Sequence, residues 1–335
     1  MEKSKSLRDR RSWKMSVLVL FSTSALVTML YSVSAGAVTL SLKEVWSYLF
    51  FHSQVGGMGD IIWNIRLPRT LVAALVGANL AVSGALLQGV MRNPLADPHI
   101  IGVSSGAGLL GMTVLILFPH LPHLLIPVAF IGASGAALIV YVLAWKNGVV
   151  PTRIILAGVA VSAFFGAGIS TLLTFYSDRL TGTIDFLAGS LSARSWPHLE
   201  TILPYTILGL LIAGLGSQKM NILMLGDTTA KSLGTRVEVI RLVMTATATL
   251  LAASAVSVAG LLGFVGLIVP HAARLLVGND YRVLIPASAM LGVVVITFCD
   301  TLARLMFAPI EIPVGVMMGA VGAPFFLYLL RRRAM

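Results

Sequence analysis

Long stretches without a charged side chain dominate this sequence. Eight stretches of 17 or more residues contain no Asp, Glu, Lys or Arg, and they are 15–42, 70–91, 98–145, 154–177, 201–218, 242–273, 283–299 and 312–330. About 20 apolar helical residues cross the roughly 30 Å hydrocarbon core of a bilayer, where every backbone N–H and C=O must be bonded within the protein. The pattern therefore predicts a membrane protein built of spanning helices.

Composition agrees with a lipid environment. Apolar residues make up 57% of the 335 residues and charged residues only 11%, whereas a soluble domain has about 25% charged residues. This composition excludes a water-soluble globular protein. The single cysteine, Cys299, excludes a disulfide framework and predicts a small buried thiol.

Two of the stretches are too long for one helix. Pro119 and Pro122 interrupt the stretch 98–145, which predicts helices over 98–118 and 124–144. Three glycines, at positions 260, 263 and 266, interrupt the stretch 242–273, and there we expect a helix that ends near position 258 and a short helix over 260–271. The sequence thus predicts ten spans.

The distribution of basic residues supports this number. With ten spans and both termini in the cytoplasm, 18 of the 24 Lys and Arg lie inside, and with one helix fewer only 14 do. Basic residues concentrate in cytoplasmic loops. We therefore predict an all-α polytopic fold with a basic cytoplasmic N-terminus (1–14), a ten-helix domain (15–330) and a basic cytoplasmic C-terminus (331–335). Topology accounts for most of the net charge of +11, so no nucleic-acid partner is expected.

Three arginines fall on the predicted outer side. Arg66 and Arg69 precede the second span, and Arg304 follows the ninth. Arginines at helix ends commonly extend to lipid headgroups, but three together on the side that basic residues avoid indicate docking of an acidic partner. Asp300 and Arg304 are four residues apart on a helix and alternatively pair with each other.

The predicted cytoplasmic loop 218–241 contains a short helix. Asp227 or Thr228 is a suitable cap for this helix and Gly234 a suitable end, with Ala230 and Leu233 on a small apolar face. Such a helix is either a plain connector or a contact surface for another protein.

The chain lacks the motifs of common catalytic sites. It has no phosphate-binding loop of the form G-x-x-x-x-G-K-[ST], no H-E-x-x-H and no G-x-S-x-G. His120 and His123 lack further metal ligands nearby and are expected to be ordinary turn residues. Enzymatic function, a bound metal and a cofactor are therefore not expected. An ion-driven secondary carrier stays an alternative, although Asp97 and Asp300 lie near predicted helix ends rather than at the bilayer midplane, and a structural or sensory protein is a third.

Several blocks of the chain resemble the signature of the FecCD-type permeases, in the same order. They include Arg66-Leu67-Pro68-Arg69-Thr70, Asn93-Pro94-Leu95-Ala96-Asp97-Pro98, Gly102-Val103-Ser104-Ser105-Gly106, Leu187-Ala188-Gly189-Ser190-Leu191, the stretch from Gly263 to His271, and Glu311-Ile312-Pro313-Val314-Gly315. The resemblance covers about residues 60–333. These permeases are the membrane subunits of bacterial ABC importers for ferric siderophores, haem and vitamin B12.

The resemblance implies a type II ABC importer permease fold in the bacterial cytoplasmic membrane. It also implies the partners: a second permease subunit, which is either another copy or a paralogue, two cytoplasmic ATP-binding subunits and an extracytoplasmic substrate-binding protein. ATP hydrolysis then belongs to a separate subunit. Ferric siderophore is the favoured substrate, with haem and cobalamin as alternatives.

Site residues follow from the same resemblance. Arg66, Arg69 and Arg304 match arginines that receive acidic residues of the binding protein. The outer gate segment is 177–198, with Leu187, Gly189 and Ser190. The coupling loop 218–241 contacts the ATPase, and its residues are Leu225, Gly226, Asp227, Ala230, Leu233 and Gly234.

Reporter fusions test the predicted topology. Because ten spans place both termini on one side, a fluorescent protein that folds only in the cytoplasm should be bright at either end of the chain, and alkaline phosphatase at either end should be inactive. A phosphatase fusion after position 120, in a predicted outer loop, is the positive control. Termini on opposite faces would contradict the ten-span prediction.

Overall fold

The computed structural model describes residues 11–36, 40–51, 58–145, 151–179 and 182–333. Its α-helices are α1 (Arg11–Ser34), α2 (Leu42–Phe51), α3 (Met58–Asp60), α4 (Leu67–Val90), α5 (Val103–Leu117), α6 (Leu125–Ala144), α7 (Pro151–Phe175), α8 (Thr183–Ala188), α9 (Trp196–Leu223), α10 (Asp227–Ser232), α11 (Val237–Ala259), α12 (Val265–Val277), α13 (Tyr281–Leu305) and α14 (Val314–Arg333). A π-helix (Ile61–Arg66) joins α3 to α4, and 3₁₀ turns (Pro98–Ile101 and Pro122–Leu124) precede α5 and α6.

Ten of these helices correspond to the ten predicted segments. Within the described residues, seven are long and apolar enough to cross a membrane, and they belong to α1, α4, α6, α7, α9, α11 and α13. The apolar helices α5, α12 and α14 are shorter. The all-helical membrane fold is thus confirmed, while the crossing of all ten helices and the side of the termini stay predictions.

Helix α4 forms the centre of the bundle. Most of its residues are buried, with α9, α11, α12 and α13 packed around it. Gly77 lies against the carbonyl group of Gly292 in α13, and Gly84 lies against that of Gly266 in α12, so closely that a methyl group would collide at both places. Small residues allow such close approach, which favours helix association in lipid.

Polar side chains also join α4 to its neighbours. Asn79 Nδ2 donates to Thr206 Oγ1 in α9 at 2.8 Å and to Ser254 Oγ in α11 at 3.1 Å. Ser83 Oγ donates to the carbonyl oxygen of Ala248 at 2.7 Å. These bonds fix the register of three helices in a region where lipid offers few hydrogen-bond partners.

The predicted break at Gly260 is confirmed, but the helix that follows is displaced. Helix α11 ends at Ala259, and Gly260 has a φ of +76°. Helix α12 then begins at Val265 rather than at position 260 and extends to Val277 rather than to position 271. The reason is that the intervening backbone bonds to neighbouring segments: Leu261 N donates to Phe186 O at 2.9 Å, and Leu262 O accepts from the imidazole of His99 at 2.9 Å.

The helix predicted over 98–118 also begins later, at Val103. Asp97 accepts a hydrogen bond from His99 N at 2.9 Å and so caps a 3₁₀ turn. Gly102 follows with a φ of +78°, which separates the turn from α5. Asp97 and Pro98 lie beside Gly266, so the turn that precedes α5 meets the first residues of α12 inside the bundle.

Replacement of Gly84 tests the close contact between α4 and α12. We expect Gly84→Ala to lower the free energy of unfolding by about 1–3 kcal/mol, because the new methyl group meets the backbone of Gly266. Gly214→Ala is the matched control, since Gly214 is an exposed helical glycine with open space around its Cα. Thermal unfolding in detergent measures both, and equal unfolding temperatures would contradict the packing described here.

Candidate functional site

The π-helix Ile61–Arg66 positions the first arginine of the predicted docking set. Pro68 has no N–H, so the carbonyl group of Asn64 lacks its usual α-helical partner, and Leu67 N donates to Ile62 O, five residues back. Arg66 is buried, and its Nη1 donates to Val33 O at 3.0 Å and to Ser34 O at 2.9 Å. The guanidinium group therefore binds the carbonyl end of α1, where the helix dipole is negative.

Arg69 is the centre of a buried charge cluster. Its Nε and Nη2 donate to both carboxylate oxygens of Asp300, at 3.1 and 2.9 Å. Its Nη1 donates to Glu311 Oε2 at 2.8 Å. A fork of this kind is the strongest common arrangement of arginine with carboxylates, so it holds α4, α13 and the α13–α14 loop together.

Arg304 completes this cluster. Its Nε lies 3.3 Å from Asp300 Oδ2, which confirms the predicted pairing of these two residues. Its Nη2 donates to Ser32 Oγ at 2.9 Å and to Ser32 O at 3.1 Å. We define the outer charge cluster as Arg66, Arg69, Asp300, Arg304 and Glu311, in which three guanidinium groups face two carboxylates and leave one excess positive charge.

The predicted docking arginines are thus brought together, but they are not exposed. Arg66 and Arg69 have relative exposures of 5% and 7%, and the side chain of Arg304 is 8% exposed. Each guanidinium group is bonded within the chain. Their role in docking stays a prediction, and it requires that a partner compete with these internal contacts.

Glu311 is the most accessible member of the outer charge cluster, with 43% of its side chain exposed. Its partial burial would raise the pKa of the carboxyl group, but the hydrogen bond and the charge of Arg69 outweigh this effect and place the pKa below its usual value. Glu311 is therefore ionised at neutral pH.

The predicted outer gate segment contains the short helix α8. Gly189 has a φ of +78° and ends α8 beside the carbonyl oxygen of Leu261. Ser190 is buried, and its N–H donates to Ala259 O at 2.8 Å, while Gly189 O accepts from Gly315 N at 3.0 Å. Backbone bonds therefore join this segment to the end of α11 and to the start of α14. Leu187 lies half-buried on α8.

The predicted coupling loop 218–241 is shorter than expected. Helix α9 continues to Leu223 and α11 begins at Val237, because a charged residue at a water-facing helix end does not stop the helix. The connection contains α10, which ends with Gly234 at a φ of +73°. Leu225 and Leu233 are each 60% exposed, whereas Ala230 is fully buried. Ala230 and Leu233 therefore do not form one surface, because Ala230 packs into the core and Leu233 faces outward.

Asp227 does not cap α10 with its side chain. Its carboxylate instead pairs with Arg92 and with Arg241, the latter at 2.9 Å. Arg92 follows α4 with a φ of +47° and donates to the carbonyl oxygen of Leu223, the last residue of α9, at 2.8 Å. Asp227 thus joins α10 to α11 directly and to α4 and α9 through Arg92.

Sequence reasoning missed four residues in and around the outer charge cluster and the ion pairs of Asp227. They are Arg92, Ser192, Arg241 and Glu311, which contact residues 14 to 242 positions away. A signal was present for the three charged residues, since each borders a charge-free stretch and a charged residue there requires a partner. The partner itself follows only from the packing of the helices.

Comparison with known proteins identifies the family of this chain. The FecCD transport family model matches residues 24–332. The chain is 36% identical to the Fe(3+)-citrate import system permease protein YfmE of Bacillus subtilis over 333 residues, which are 98% of each chain.

The chain belongs to the FecCD transport family. It is also 45% identical over 275 residues to the cobalamin import system permease protein BtuC of Halobacterium salinarum, which covers 82% of this chain and 74% of that protein. A solved ABC transporter, assigned to the metal-chelate type and captured in an inward-facing conformation, superposes with a TM-score of 0.83 at 30% identity and covers 95% of this chain and 99% of that one.

Membership of this family has direct consequences for the predictions. The chain is the multi-pass inner-membrane permease of an ABC importer, and it works with ATPase subunits and another permease. The permease is not catalytic, because ATP hydrolysis takes place in a separate subunit. The two alternatives, an ion-driven secondary carrier and a purely structural or sensory protein, are therefore wrong.

Neutralisation of Asp300 tests the outer charge cluster. Asp300→Asn leaves Arg69 and Arg304 buried with Glu311 as their remaining carboxylate, so we expect a loss of about 3–5 kcal/mol in the free energy of unfolding. Glu200→Gln is the control, since Glu200 is exposed and such a side chain contributes at most about 1 kcal/mol. Thermal unfolding of the purified proteins should separate the two variants, and equal stability would show that the cluster is not structural.

Proposed function

We propose that this permease translocates a ferric siderophore across the bacterial cytoplasmic membrane. The observation that carries the proposal is the match, over 98% of both chains, to a permease named for ferric citrate import. The superposition on a transporter of the metal-chelate type supports the same substrate class.

On the cytoplasmic side, we infer that the importer has two ATP-binding subunits and that α10 is the contact with one of them. Leu225 and Leu233 present apolar side chains at the ends of this short helix, and burial of exposed leucines is a common source of affinity between proteins. The bonds of Asp227 to Arg92 and Arg241 provide a rigid connection from α10 to the central helix α4. Movement of the ATPase then tilts the bundle, and the path alternates between outward and inward opening.

On the outer side, we infer that an extracytoplasmic substrate-binding protein docks over the outer charge cluster. The excess positive charge of this cluster favours an acidic surface. The attraction during approach should weaken with salt, since charges that interact through water are screened over about 8–10 Å at physiological ionic strength. The second permease subunit is either another copy of this chain or a paralogue, and the two together enclose the path.

Cobalamin is the second candidate substrate. The cobalamin permease shares 45% of its residues with this chain over the aligned region, although that region is shorter. Haem is a third ligand class that the family resemblance implies. The choice among these substrates depends on the binding protein, because a path that passes several chelates has few specific contacts.

Uptake in cells distinguishes the candidate substrates. A strain that lacks this chain is compared with its complemented parent for uptake of radiolabelled ferric citrate, ferrioxamine, hemin and cyanocobalamin. We expect the strain without this chain to lose uptake of a ferric chelate and to keep uptake of hemin and cyanocobalamin. Loss of cyanocobalamin or hemin uptake instead would replace the siderophore proposal. Removal of the ATPase should stop uptake, whereas collapse of the proton gradient at constant ATP should not.

A charged residue on α10 tests the ATPase contact. We expect Leu233→Asp to lower, by at least about tenfold, the amount of ATP-binding subunit that co-purifies with the tagged permease from its native host. The reason is that a carboxylate would replace an apolar contact. The unfolding temperature should change little, since Leu233 is 60% exposed. Ile310→Asp is the matched control, because Ile310 is 72% exposed in the α13–α14 loop beside the outer charge cluster. Undiminished co-purification with Leu233→Asp would contradict this role of α10.

A further inference from the structure

Glu311 connects the outer charge cluster to the gate segment. One carboxylate oxygen, Oε2, accepts a hydrogen bond from Arg69 Nη1 at 2.8 Å and another from Ser192 Oγ at 2.9 Å. Arg69 belongs to the central helix α4, and Ser192 lies in the turn between α8 and α9. A single carboxylate therefore holds the turn against the buried cluster.

Ser192 is well placed to hold the gate segment. Its N–H donates to Ser190 Oγ at 3.2 Å, and Ser190 N donates to Ala259 O at the end of α11. Ala193 follows with a φ of +57° and is exposed. The turn thus runs from a buried serine to an exposed alanine within four residues, and Glu311 bonds to it between the two.

The charges make Glu311 the exchangeable member of the cluster. Asp300 is 1% exposed and already binds both Arg69 and Arg304, so no external group reaches its place. The side chain of Glu311 is 43% exposed, and within the cluster it accepts a hydrogen bond only from Nη1 of Arg69. If Glu311 left, the cluster would have two excess positive charges instead of one, and a carboxylate from outside would be attracted to the vacated nitrogen.

We propose that Glu311 is an internal substitute for the carboxylate of an acidic partner, and that exchange of the two carboxylates on Arg69 releases Ser192 and the outer gate segment. This inference rests on the proposed function for the identity of the partner. It gives Glu311 and Ser192 positioning roles: they keep the gate segment in place until an acidic surface arrives.

A reporter cysteine at position 190 measures release of the gate segment. Ser190 is 4% exposed, and the single native cysteine, Cys299, is buried, so a maleimide should react slowly with the Ser190→Cys chain in lipid nanodiscs. We expect Glu311→Ala and Ser192→Ala to raise the labelling rate at this cysteine by at least about fivefold. Glu200→Ala removes an exposed carboxylate near the start of α9 and should leave the rate unchanged.

Ser192→Ala keeps the test informative if Glu311→Ala fails to fold, because it leaves the bond between Arg69 and Glu311 intact. Labelling within twofold of the parent rate for a folded Ser192→Ala chain would overturn the proposal. The same result for a folded Glu311→Ala chain would also overturn it.

An octaglutamate peptide tests the exchange itself. Added to the Ser190→Cys chain, it should raise the labelling rate, whereas a Gly-Ser octapeptide at the same ionic strength should not. In the Glu311→Ala background the peptide should add nothing further, because the segment is already released. Absence of a peptide effect on the parent chain would overturn the exchange. Labelling requires neither the ATPase nor transport, so these results are independent of the uptake experiments.

Discussion

The need to bond every backbone polar group inside the protein governs this structure. Long helices meet the need by themselves, but α5 and α12 begin inside the bundle after non-helical segments. Those segments meet each other where the imidazole of His99 donates to Leu262 O. The segment before α12 also bonds to α8, where Leu261 N donates to Phe186 O. The irregular backbone is thus tolerated because protein surrounds it. The same bonds attach α8, and with it the gate segment, to the core.

Charge follows a related rule at both ends of the bundle. Buried arginines are costly unless paired, and Arg66, Arg69 and Arg241 bind carboxylates or helix-end carbonyl groups. The outer charge cluster joins helices that are far apart in sequence, and Asp227 does the same for α10. The clusters differ in access. Ala230 anchors α10 in the core and Leu233 stays exposed, whereas in the outer charge cluster Glu311 is the most exposed member.

Charge-free stretches, with breaks at proline and glycine, were sufficient to predict ten apolar helices and their order, because the bilayer restricts the choices so strongly. They placed the start of α12 five residues too early, since the bonds that keep residues 260–264 out of a helix come from distant segments. For the same reason the sequence identified Arg69 but not its partner Glu311, which is 242 residues away. Ala230 was misplaced because the orientation of a two-turn helix depends on what it packs against.

The central helix α4 connects the outer charge cluster to the ion pairs of Asp227. Arg69 lies in the first turn of α4 and Arg92 lies two residues beyond its end, so a single rod of 24 residues, about 36 Å long, has an ionic junction at each end. A shift of this rod along its axis displaces both junctions together. If a ligand at the outer junction thereby changes the affinity of a partner at the inner junction, that partner changes the affinity of the ligand by the same factor. Thermodynamic reciprocity across the membrane is built into one helix.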